Sequence, residues 1–240
     1  MNLPIKISPD PIKEAVIELR FNSDAPPEGV LGIFYTSVRK SLSNFERLPI
    51  TQIPDHIRMT DPSLIYQPYY RFTNENYLFQ FGPKVISLAV KSPYTGWTDY
   101  SNRFFELYEK ITCGNDIVQN IQRFALRYID FFEEDIFHKI NLNIDLNIPA
   151  PKSRLYFRTN LNFDEYNCLL QIGNDAAVND AKYKKTGSFL DIDTTYEPVG
   201  KINESNIKTI LGGAHIVQKK LFFSLLNKDF LAALNPQYEN

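Results

Sequence analysis

The sequence predicts an α+β protein of two consecutive halves, each ordered β-α-β-β-β-α, whose strands join in one curved antiparallel sheet with the helices on one face. Three observations lead there. Short runs of alternating apolar and polar residues come in groups split by Gly, Pro and Asn; each group ends in an apolar-periodic helix; and short motifs recur in the same order in both halves.

The first element, EAVIELRF, puts Ala15, Ile17, Leu19 and Phe21 on one side and Glu14, Val16, Glu18 and Arg20 on the other, as a half-buried strand does. DAPPEG breaks it, and Val30, Ile33, Phe34, Val38 and Leu42 then recur at helical spacing to about Asn44. A proline-punctuated connection with room for one more strand follows. YYRFTNENYLFQFGPKVISLAVK holds three β-rich runs divided by NEN and GPK, which predicts a meander of tight hairpins. GWTDYSNRFFELYEKI predicts a helix capped by Thr98 or Asp99, with Phe104, Phe105, Leu107, Tyr108 and Ile111 as its apolar positions.

The second half opens on a strand, RFALRYIDFF, and EDIFHKI is too short for more than a turn or two of helix. Three β-rich runs follow, RLYFRTNLNF, NCLLQIG and SFLDIDTTY, and the chain closes on the helix-like HIVQKKLFFSLLNKDFLAALNPQY. YRFTN at 70–74 answers YFRTN at 156–160, LFQFG at 78–82 answers LLQIG at 169–173, and ELRF answers ALRY around Arg20 and Arg127. This predicts an internal duplication with halves at 1–115 and 116–240, forming one continuous structural unit. Meanders joined edge to edge lose two exposed edges. The saddle that results resembles the TATA-binding-protein type of architecture, a likeness of shape that implies no activity.

Composition narrows the function. The chain has 240 residues, 43% of them hydrophobic, with 18 Phe and 14 Tyr, which excludes general disorder. Its 26 basic and 28 acidic residues give a net charge of −2, so bulk charge does not draw it to nucleic acid or membranes. No apolar run reaches signal-peptide or membrane-spanning length, and Cys113 and Cys168 stand far apart without ligand spacing, so a cytoplasmic protein with two free thiols is expected. No phosphate-binding loop or nucleophile elbow occurs, and neither a cofactor nor a metal is expected.

In the closing helix, Ile210, Leu211, Ala214, Val217, Leu221, Phe222, Leu225 and Leu226 form the core face. His215 lies at its margin, four residues before Lys219; two cations there would repel, so a neutral histidine hydrogen-bonded at the core boundary is expected. Ile216, Phe223 and Phe230 follow at intervals of seven on the outer side. Such a row needs a cover, either the terminal DFLAALNPQY folding back or a second copy of the chain. The second copy is favoured, which predicts a homodimer.

If helices cover the apolar face of the sheet, strand alternation assigns the other face to Glu18, Arg20, Tyr69, Arg71, Gln80, Ser87, Arg123, Arg127, Tyr156, Arg158, Gln171, Asp191 and Asp193. Arg20, Arg71, Arg123, Arg127 and Arg158, interleaved with Tyr69 and Tyr156, make a surface suited to an anionic ligand or nucleic acid. The competing reading pairs these arginines with Glu14, Glu18, Asp191 and Asp193 as an ordinary solvated face. Asp191 and Asp193, two residues apart, also raise the alternative of a metal-dependent hydrolase or nuclease.

DPIKEAVIELRF, FGPKVISLAV, GWTDYSNRFFELYEKI, LRYID and HIVQKKLFFSLLNKDFLAALNPQY together resemble a sporadically distributed family of uncharacterised bacterial proteins of about this length. The resemblance spans nearly the whole chain. It implies a bacterial origin and carries over no activity and no catalytic residue. The expectation from sequence is a non-enzymatic binding protein that engages an anionic partner on its arginine-bearing sheet.

Overall fold

The computed structural model describes residues 3–143, 154–180, 183–198 and 204–239. Along the chain run β1 (Ile12–Asn22), α1 (Pro27–Val38), β2 (Asn44–Arg47), a 3-10 turn (Pro49–Gln52), α2 (Asp55–Thr60), β3 (Tyr70–Thr73), β4 (Tyr77–Gly82), β5 (Val85–Lys91) and α3 (Trp97–Thr112). The rest is β6 (Gln119–Phe132), β7 (Tyr156–Phe163), β8 (Tyr166–Asp180), β9 (Tyr183–Tyr196), α4 (Glu204–Leu225) and α5 (Lys228–Ala233). The nine strands form one curved, open antiparallel sheet in the order β2-β3-β4-β5-β1-β6-β9-β8-β7. The fold is α+β, as the alternating strand runs and periodic helices predict.

The alternation of β1 is realised in full: Ala15, Ile17, Leu19 and Phe21 are buried on the helix side. β1 pairs with β5 on one side and β6 on the other, so the two strands that open the halves lie side by side at the centre of the sheet. One core cluster packs α1, α3 and the first turns of α4 against β1 and β3–β6. A second packs the later turns of α4, α5 and residues 136–140 against β8 and β9. Buried hydroxyl and amide groups pin the helices to the sheet. The Tyr100 hydroxyl lies 2.6 Å from the Leu88 carbonyl and 3.0 Å from that of Ala15. On α4, the Ile210 carbonyl accepts from Tyr166 at 3.0 Å, and Gln218 Nε2 donates to the Ile192 carbonyl at 2.9 Å. Gly213 makes the first of these possible, since a Cβ there would stand 2.2 Å from the Tyr166 hydroxyl.

Four expectations are corrected. α1 ends at Val38, yet Leu42 is still buried, because a turn closed by Ser41 N–H to the Val38 carbonyl carries it back to the core. The N-cap of α3 is Gly96 at φ +92°, a left-handed conformation that favours glycine, not Thr98 or Asp99. The proline-punctuated connection holds β2, the 3-10 turn and α2 rather than a strand alone. The closing helix is also not continuous. It stops at Leu225, Leu226 bridges to Ile140, and Asn227 starts α5 by accepting the Phe230 N–H on its side chain.

That break decides the outer apolar row. Phe230 is 4% exposed and packs on Phe132 within its own chain, so it presents nothing to a second copy. Phe223 is half-buried against Phe222. Ile216 alone of the three is exposed, at 52%, and a single exposed isoleucine is ordinary. The segment after α5 folds back on residues 5–8: Ile5 N–H donates to the Gln237 carbonyl at 2.7 Å and Ser8 N–H to the Leu234 carbonyl at 2.7 Å. No helix among the described residues is long and apolar enough to cross a membrane.

Candidate functional site

Strand register brings the sequence-predicted polar residues to one face. Arg71, Gln80, Ser87 and Glu18 lie in one row across β3, β4, β5 and β1. Arg20 faces Arg123, Arg127 faces Asp193, and Asp191 faces Gln171, which faces Arg158. The guanidinium groups are met by acids. Arg20 bonds Glu18 at 2.8 Å, and Arg123 spans Glu18 at 2.6 Å and Asp193 at 3.1 Å. Arg127 holds both oxygens of Asp191 at 2.8 and 2.5 Å, and Gln171 donates to the same carboxylate at 3.1 Å. Arg71 reaches Glu46 at 3.4 Å.

Electrostatics follows from that matching. The bond to Asp191 holds the Arg127 pKa above its ordinary value against the effect of burial. Burial raises the Asp193 carboxyl, opposed by Arg123 and Arg127. Asp191 is chelated by Arg127 and Asp193 is held through one oxygen by Arg123, so both carboxylates serve as guanidinium partners. Among the described residues no group of three or more His, Cys, Asp or Glu could hold a metal ion. Arg158 is the exposed member without an ion pair among those described, beside Tyr156 at 60% exposure. Tyr69 is not on an open face. It is 4% exposed beneath the Arg58 guanidinium, 4.1 Å from its ring, because the connection between β2 and β3 folds across this end of the sheet. The same connection sets Tyr66 5.0 Å from the Arg20 guanidinium.

A second location was not marked by sequence reasoning. Under α4, where residues 4–12, the turn 94–97, β6 and β9 meet, lies a cavity of about 380 Å³. Its walls are apolar, with Ile5, Ile7, Ile12, Trp97, Phe222 and Phe223 among them. Trp97 stacks on His215 with ring centroids 4.1 Å apart and planes 4° from parallel. Burial, and then the Lys219 charge, push the His215 pKa down to about 4, so the imidazole is neutral at pH 7. The expected boundary hydrogen bond is not made at Nδ1, which is buried without a partner among the described residues.

Gln218 shares this deficit. Gln218 is 3% exposed; its amide N–H is committed to Ile192, and Oε1 has no donor. The Tyr94 and Tyr128 hydroxyls bond one another at 2.8 Å, and burial raises both pKa values. Asp130 occupies an inward position of β6, after Phe124, Leu126 and Tyr128, and is 3% exposed. Burial, then the charges of Asp10 and Asp191, raise its pKa well above the carboxylate range. An unpaired buried polar group costs about 1–3 kcal/mol. Several converging on one cavity mark a place where a ligand would complete them.

Two signals in the sequence could have found this site. Asp130 follows Phe124, Leu126 and Tyr128 on the inward side of a strand whose preceding inward residues are apolar or aromatic. Gln218 falls on the buried stripe of α4 between Ala214 and Leu221. A polar residue on an apolar stripe is informative because its desolvation must be offset by something. No protein-family model matches this sequence, and no curated protein is detectably similar to it.

Proposed function

We propose that this chain is a non-enzymatic binding protein whose ligand site is the cavity beneath α4. One observation carries the reading: Gln218 and Asp130, each 3% exposed, line a cavity of about 380 Å³ with apolar walls, where Gln218 Oε1 is without a donor and no hydrogen bond or ion pair to Asp130 occurs among the described residues. The size suits a small molecule. A catalytic reading lacks a partner for the histidine: the His215 ring is covered by Trp97, and its buried Nδ1 meets no hydroxyl or thiol among the described residues.

The test is native mass spectrometry of protein purified from its source. A bound small molecule should be carried by the native chain and lost in Ile5→Trp, which fills the rim from a half-exposed position. Tyr156→Ala, on the sheet face, should retain it. A ligand that survives Ile5→Trp and leaves with the Tyr156 substitution would overturn the reading.

Arg158 and Tyr156 support a second reading, an anionic partner on the sheet face, since they are the exposed part of the arginine set. The other arginines are matched by acids, which lowers the pull on an anion. Salt-sensitive binding of an acidic peptide or oligonucleotide that Arg158→Ala abolishes would favour it. The strand order also supports a duplicated origin: outward from the central pair, β5, β4 and β3 on one side answer β9, β8 and β7 on the other, with α3 and α4 following each set.

A further inference from the structure

Resting on the cavity reading, we infer that the ligand is an organic primary amine, its ammonium group seated against Asp130 and Gln218 and its apolar, ring-sized body against Trp97, Ile12 and Phe222. The argument is one of unmatched acceptors. The orientation of Gln218 is fixed by chemistry, because the Ile192 carbonyl can only accept and so draws the N–H end of the amide. The end left toward the cavity is Oε1, an acceptor without a donor. Asp130 adds a carboxyl group that no described residue hydrogen-bonds or pairs with, and the Tyr94 and Tyr128 oxygens have lone pairs beyond their mutual bond.

Lys6 and Lys219 also line the cavity, but among the described residues neither pairs with Asp130 or Gln218, so a donor and a positive charge are what these two groups lack. An anion would meet the Asp130 carboxyl with no guanidinium or ammonium paired to it. A quaternary cation would supply charge but no N–H. A primary ammonium supplies both, three donors and one charge, and by pairing with Asp130 it favours the ionised carboxylate that burial otherwise disfavours. Trp97 offers an aromatic surface for the body of the ligand.

Three shape-matched probes separate the possibilities: tryptamine, neutral 3-ethylindole and anionic indole-3-acetate, titrated into the full chain by calorimetry. Tryptamine should bind at least about tenfold more tightly than 3-ethylindole, through a charge-assisted bond in a desolvated site, and indole-3-acetate should bind least. Asp130→Asn, which keeps the shape and cannot ionise, should erase the preference for tryptamine over 3-ethylindole. Equal binding of amine and neutral probe, or a preference that survives Asp130→Asn, overturns the ligand class and leaves the cavity as the site. Binding of none of the three at millimolar concentration overturns the cavity reading as well.

Discussion

The neutral state of His215 sets a measurable acid sensitivity. In the unfolded chain the imidazole titrates near 6.5, whereas in the fold burial and Lys219 push it down to about 4. Between these values the unfolded chain binds a proton that the folded one refuses, so stability present above pH 6.5 is lost as pH falls toward 4. A gap of about 2.5 pH units, at about 1.36 kcal/mol each, amounts to about 3 kcal/mol. Other groups line the same space: Lys219 on α4, Tyr128 and Asp130 on β6, Tyr94 in the turn, and Lys6 and Asp10 on the N-terminal segment. Asp130 acts in the opposite sense, because a raised carboxyl takes up its proton in the folded state first. A difference measurement isolates the histidine. His215→Phe keeps a ring against Trp97 and cannot titrate. Urea unfolding of both proteins from pH 7 to pH 4 should show the native chain losing about 3 kcal/mol more than the variant. Parallel curves would refute the reasoning.

Further outcomes follow from packing and charge. Arg127→Ala leaves the Asp191 carboxylate, 5% exposed, without its bidentate partner and should cost about 3 kcal/mol in urea unfolding. Arg127→Ala combined with Asp191→Asn should recover most of that loss. Gly187→Ala sets a Cβ 1.9 Å from the Phe132 carbonyl oxygen and should lower stability by about 3 kcal/mol or prevent folding, read by the thermal midpoint. Phe230→Ala opens a void beside Phe132 and should cost about 4 kcal/mol, with the sedimenting mass unchanged because the ring packs within its own chain.

Much of the architecture was legible because strands write their two faces in period two. The alternation of EAVIELRF, together with the meanders around NEN and GPK, located β1, β3, β4 and β5 and brought Arg20, Arg71, Arg123, Arg127 and Arg158 to one side of one sheet. Pairing along that face was less legible, since which acid meets Arg127 depends on β6 lying beside β9, a neighbourhood 64 residues apart in sequence. The break at 226–227 was hidden by the apolar periodicity of LFFSLLNKDFLAAL, which runs through it. Asn227 is the residue that interrupts it, by competing with the backbone for an N–H. The cavity was least legible, because its lining comes from five stretches of chain and only Asp130 and Gln218 break an apolar pattern.

The central β1–β6 pair has a consequence for biogenesis. On the ribosome, residues 12–22 emerge roughly a hundred residues before 119–132, so β1 waits with one row of backbone amides and carbonyls uncovered while β5 takes the other. Glu18, which will share Arg123, waits with it. A nascent first half is therefore an open template for strand addition, and a polypeptide halted before residue 119 carries a sticky seam at what becomes the middle of the mature layer.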